Sequence, residues 1–115
     1  MKLGIIGSRS FNDYNKAKKV FKNFFQQHTK IIVSGDCPSG GDLMGKKLAE
    51  EFDIEYEGYP ADWDQYSKSA GFIRNGKIVD NSDMILAFYD GVSKGTLDTL
   101  NKAKQKKRSV FVIYY

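Results

Sequence analysis

The sequence predicts one α/β domain in which a five-stranded parallel sheet is covered by helices on both faces. Three observations predict it. Short apolar runs alternate with amphipathic segments along the whole chain, the pattern of repeated strand-helix-strand units. Four of the five runs are apolar without alternation, as strands buried on both faces should be. The length, 115 residues, fits one domain and leaves no room for two.

Leu3 to Ile6 reads as the first strand and ends at Gly7-Ser8. From Asp13 to about His28, Tyr14, Ala17, Val20, Phe21, Phe24, Phe25 and His28 recur at helical spacing, with Asn12 or Asp13 as the cap. Ile31-Ile32-Val33 is the second strand, stopped by Ser34-Gly35. Leu43, Met44, Leu48, Ala49 and Phe52 mark a second helix. Ile54 to Tyr59 is a weaker third strand closed by Pro60, and Ala61 to Tyr66 reads as a loop. A third helix runs from about Ser69 to Asn81. Met84 to Tyr89 is the fourth strand, Leu97, Leu100 and Ala103 stripe a fourth helix, and Val110 to Tyr114 is the last strand. Right-handed crossovers then favour the strand order 3-2-1-4-5, a Rossmann-like three-layer sandwich. Winding reverses between strands 1 and 4, and a crevice opens there at the carboxyl ends of the strands.

Composition narrows the function classes. The chain is 41% hydrophobic and 28% charged, with sixteen aromatic side chains to fill a core. No apolar stretch approaches the roughly 20 residues needed to cross a bilayer, and Met1 to Gly7 reads as a strand rather than a signal peptide. Cys37 stands alone, so no internal disulfide forms and a reducing cytoplasm is expected. The net charge of +4 suits an anionic partner. The lysines at 16, 18, 19 and 22, and the run from Lys102 to Arg108, also suit solvated helix faces and helix C-termini.

Three polar loops follow strands 1, 2 and 4 and should meet at the crevice. In Gly7-Ser8-Arg9-Ser10, glycine permits a sharp turn and the next three residues offer donors to an anion. Ser34-Gly35 through Gly40-Gly41-Asp42 places paired glycines before a helix, whose first amides are free to bind phosphate. Asp90-Gly91 with Ser93-Lys94-Gly95-Thr96 opens another helix and adds hydroxyls and a lysine. Glycine turns and serine caps alone would explain any one of these loops; their convergence is what points to a ligand. No Walker loop or full dinucleotide fingerprint is present. Arg74 follows small residues at a helix entry and could clamp a phosphate with two parallel bonds, or form a surface ion pair. Trp63 and Tyr66 could stack on a base or ribose, or simply pack. No cluster has metal-ligand spacing, and nothing supports a triad around His28. Asp42, Asp90 and Asp98 are the carboxylates expected near the crevice, Asp42 and Asp98 in first helical turns.

These motifs, together with Tyr59-Pro60-Ala61-Asp62-Trp63, Ser69-Ala70-Gly71 and Arg74-Asn75, resemble the YspA-type branch of the SLOG superfamily. The resemblance covers nearly the whole chain. It implies a domain that binds a nucleotide or nucleotide-derived signal, such as a nucleoside monophosphate, an NAD derivative or an ADP-ribose-like molecule. In the related LOG phosphoribohydrolases, an arginine before the fourth strand and a glutamate after a glycine-rich loop are catalytic. Arg74 matches that arginine. The glutamate position falls on Thr99 with Asp98 beside it, and Val92-Ser93-Lys94 lengthens the loop. Breaking a ribosyl bond calls for a carboxylate at that place.

The expectation is therefore a nucleotide-binding sensor or sequestering module without a bound cofactor. Its candidate ligand-binding residues are Gly7, Ser8, Arg9, Ser34, Gly35, Gly40, Gly41, Asp42, Trp63, Arg74, Asp90, Ser93, Lys94, Gly95 and Thr96. The alternatives are an N-glycosidic hydrolase using Arg74 with Asp98 or Asp42, and a nucleic-acid-binding protein. The apolar edge strand at Val110 to Tyr115 predicts a homo-oligomer.

Overall fold

A computed structural model describes all residues, 1–115. The strands are β1 (Lys2–Gly7), β2 (Ile31–Ser34), β3 (Glu55–Gly58), β4 (Met84–Tyr89) and β5 (Ser109–Tyr114). All pairings are parallel and the order is β3-β2-β1-β4-β5, as the crossover rule requires. The helices are α1 (Tyr14–Phe24), α2 (Gly40–Glu51), α3 (Trp63–Tyr66), α4 (Ala70–Asp80) and α5 (Lys94–Gln105).

The alternation of side chains along the strands divides the core in two. Leu3, Ile5, Ile32, Leu86 and Phe88 pack on one face with Ala17 and Phe21 of α1 and Met44 and Leu48 of α2. Ile6, Val33, Ile85 and Ala87 point to the other face, against Ile78 and Val79 of α4 and Ala103 of α5. The central strands β1 and β4 are almost wholly buried, whereas β5 at the edge is exposed or half-buried. No helix is long and apolar enough to cross a membrane.

Two boundaries differ from the sequence reading. The first helix stops at Phe24, and Gln26–His28 form a 3-10 turn, because no apolar residue after Phe25 has a core position to fill. Asp13 caps α1 by accepting a hydrogen bond from Lys16 N at 3.1 Å. The segment expected as a loop from Ala61 to Tyr66 contains α3, capped by Asp62, whose Oδ1 accepts from Gln65 N at 3.1 Å. A 3-10 turn at Ser67–Ser69 then leads into α4.

Candidate functional site

The crevice at the β1–β4 switch point holds a cavity of about 450 Å³, within the roughly 300–1,000 Å³ typical of small-molecule sites. Ile6, Gly7, Ser8, Arg9 and Ser10 line it from β1 and its loop, Cys37 and Asp42 from the β2–α2 segment, and Arg74, Asn75 and Ile78 from α4. Asp90, Ser93, Gly95, Thr96 and Thr99 complete it from the β4–α5 side. The three loops therefore meet, and the lining is mostly polar.

Each loop is held by bonds that the sequence encodes locally. Ser8 is buried; its amide donates to Phe88 O at 2.9 Å and its Oγ accepts from Asp90 N at 3.2 Å, which locks the first loop to the third. Asp90 Oδ1 accepts from Val92 N at 2.9 Å and Ser93 N at 2.8 Å. These amides hold its carboxyl below the usual aspartate range, so its charge is engaged by its own turn. Ser93 caps α5 through Thr96 N, and Ser93 Oγ donates to Thr96 Oγ1 at 3.1 Å. Thr96 Oγ1 thus accepts from Ser93 and keeps its own proton for another acceptor. Thr99, one turn on, donates to Gly95 O at 3.2 Å.

Gly40 and Gly41 serve packing rather than cavity lining. A Cβ on Gly41 would collide with the backbone of Ile6 and Gly7, and one on Gly40 with that of Ser8. Gly40 also has φ +70°, in the left-handed region. The glycine pair lets the start of α2 rest directly on the end of β1.

Arg74 lies on the α4 side of the cavity. Nη1 donates to Gly35 O at 2.8 Å and Nε to Asn75 Oδ1 at 3.0 Å, so part of the guanidinium fork is used within the protein. Asp42 is buried, in the first turn of α2, and Oδ2 accepts from Cys37 N at 3.3 Å. A Cβ on Gly35 would stand 2.5 Å from Arg74 Nη1 and 2.6 Å from Asp42 Oδ2. Gly35 therefore sits between the cation and the carboxylate. The four ion pairs of the chain lie elsewhere; Asp42 and Arg74 form none. Burial pushes the Asp42 carboxyl up to about 6, against the pull of Arg74 and of the Cys37 and Gly35 amides.

The remaining candidates stand apart from the lining. Ser34 lies buried beneath the loop, bonded to Tyr56 OH, which also donates to Asp36 Oδ1 at 3.1 Å. Trp63 is 54% exposed, and a Cβ on Gly71 would lie 3.6 Å from its ring. Lys94 is exposed at the start of α5. Asp98, expected in a first turn, falls one turn further into α5, whose first turn has no acidic residue. Its Oδ2 accepts from Lys102 Nζ at 2.6 Å and Asn75 Nδ2 at 3.2 Å. Thr99 lines the cavity instead. Asn75 was legible only as part of the Arg74-Asn75 motif and Thr99 only as a departure from the resemblance; their helical spacing to Ile78 and Thr96 is the signal that places them on the inner faces.

Comparison with family models, with curated proteins and with solved structures returns no match to the chain.

Proposed function

We propose that the chain binds a nucleotide or nucleotide-derived phosphate ligand in the β1–β4 cavity. One observation carries this reading: three loops and α4 surround a single polar cavity at the sheet's switch point. The phosphate belongs at the α5 side. There the helix N-terminus, the Thr96 hydroxyl and the open surface at Gly95 favour an anion. Arg9 and the unused part of Arg74 add positive charge. Asp90, kept ionised by the Val92 and Ser93 amides, also lines this side, and the α5 N-terminus and Arg9 offset its charge.

A hydrolase built on Asp98 is disfavoured, because Asn75 and Lys102 hold that carboxylate outside the cavity lining; one built on Asp42 is left to the assay. Nucleotide binding is favoured over nucleic-acid binding by the concave shape of the site. Isothermal calorimetry with AMP, ADP-ribose and cyclic ADP-ribose-like molecules tests the reading. Saturable heat with at least one is expected; no heat with any overturns it. Base release followed by chromatography would revive the hydrolase.

We further propose a cytoplasmic homo-oligomer. The lone Cys37 supports a reducing setting. The edge strand β5 supports self-association, with Val110 and Tyr114 exposed on one of its faces and Phe24 exposed against Phe111 on the other, the two rings 5.5 Å apart. A monomer mass by light scattering overturns the second statement.

A further inference from the structure

We infer that Asp42 selects for a ribose with free vicinal hydroxyls, and that it fixes which way the ligand lies in the cavity. The inference rests on the nucleotide reading above and names the part of the ligand opposite the phosphate.

The cavity has two unlike ends. On the α5 side stand Gly95, Thr96 and Ser93, which together present a helix N-terminus and hydroxyl donors. On the β2 side stands Asp42, a carboxylate in the first turn of α2 that lines the cavity yet is only 8% exposed. A buried carboxylate accepts up to about four hydrogen bonds when ionised. The protein gives it amide donors from one side, with Cys37 N at 3.3 Å, and no ion pair. Its remaining acceptor capacity is open to donors from whatever fills the cavity.

A phosphate suits this end less well than the other, because Asp42 is buried and repels an anion strongly in a low-dielectric place, whereas Asp90 at the α5 end is only half-buried and more screened by solvent. The phosphate is therefore directed to the α5 end, and Asp42 meets a group rich in O–H donors. A ribose diol offers two adjacent O–H groups, and a carboxylate takes them as a pair. Gly35 makes the arrangement possible. Lacking a side chain, it allows Asp42 and Arg74 to approach the same place, where the guanidinium limits the cost of the buried charge.

Calorimetry at pH 7.5 with the unaltered protein tests the inference, using AMP, 2′-deoxy-AMP and 3′-deoxy-AMP. Loss of either hydroxyl should weaken binding at least about tenfold, the usual effect of a hydrogen bond to a charged group. Asp42→Asn should bind the three with affinities within about threefold of one another, since the charged acceptor is gone. Equal binding of ribo and deoxy forms by the unaltered protein overturns the inference while leaving the nucleotide reading intact. Retained discrimination in Asp42→Asn overturns it also. Absence of binding by all three overturns the inference, and the nucleotide reading falls with it only if ADP-ribose and its cyclic analogue also give no heat.

Discussion

Asn75 holds Arg74 by accepting from its Nε at 3.0 Å, and the other half of the same amide donates to Gly95 O at 3.2 Å. One buried side chain thus ties the guanidinium on α4 to the first turn of α5. The amide suits this place because it accepts on one side and donates on the other. Its Nδ2 also reaches Asp98 Oδ2, which Lys102 neutralises. The guanidinium and the start of α5 are set at a fixed separation by this link.

Asn75→Ala should therefore affect binding and stability separately. Without its anchor, Arg74 samples other rotamers, and AMP affinity should fall about tenfold, by the loss of one charge-assisted contact. Stability in urea should fall by about 1–3 kcal/mol as the partners of a buried amide lose their bonds. Asn75→Asp keeps the Arg74 contact but sets a carboxylate against Asp98. Adding Asp98→Asn should then recover much of the lost stability. Unchanged AMP affinity in Asn75→Ala would show that Arg74 needs no such anchor.

The glycines separate into packing and open positions, and alanine substitution should tell them apart. Gly41→Ala would force a methyl into the backbone of Ile6 and Gly7. We expect a loss of roughly 3 kcal/mol or more, as overpacking against backbone that cannot move aside requires. Gly95→Ala meets nothing within 4 Å. It should leave stability unchanged or raise it by up to about 1 kcal/mol, since alanine is the better helix former. Gly95 lines the cavity, so the added methyl should weaken AMP binding several-fold. Thermal melts and calorimetry on both variants check this; normal binding in Gly95→Ala would move the phosphate away from α5.

The fold was legible because its signals are coarse and repeated. Five apolar runs separated by helical spacings admit few arrangements once right-handed crossovers are required. The glycine pair at 40 and 41 was visible as a motif, but its function was not. In sequence, a glycine that approaches a phosphate looks the same as one that approaches a backbone; only the nearness of β1 separates them. Asn75 was hidden for a related reason. Its partners Gly95 and Asp98 lie twenty and twenty-three residues away, on another helix. Nothing in local spacing announces a contact made by the packing of α4 on α5. The short helix α3 was masked by Pro60 and by its length of four residues, too brief for periodicity to register.

Asp42 should make stability depend on pH in a direction opposite to that of a salt-bridged aspartate. Burial raises its carboxyl from 3.8 to about 6, and neighbouring Asp36 adds to the rise. Arg74 and the amides of Cys37 and Gly35 offset only part of it. Between about 4 and 6 the folded protein holds a proton that the unfolded chain has released. Stability from this group is therefore present at low pH and is lost as pH rises through that window. The full difference is roughly 3 kcal/mol. Glu51, Glu57 and Asp90, whose carboxyls are held low, pull the other way on acidification, so parent and variant must be compared at each pH. Asp42→Asn should match the parent near pH 4 and exceed it by up to about 3 kcal/mol at pH 7.5. Urea titrations across that range decide it; a constant difference between the two proteins would mean that Asp42 titrates as an ordinary surface acid. A variant that is more stable yet no longer distinguishes ribose from deoxyribose would identify the buried charge as a cost kept for recognition.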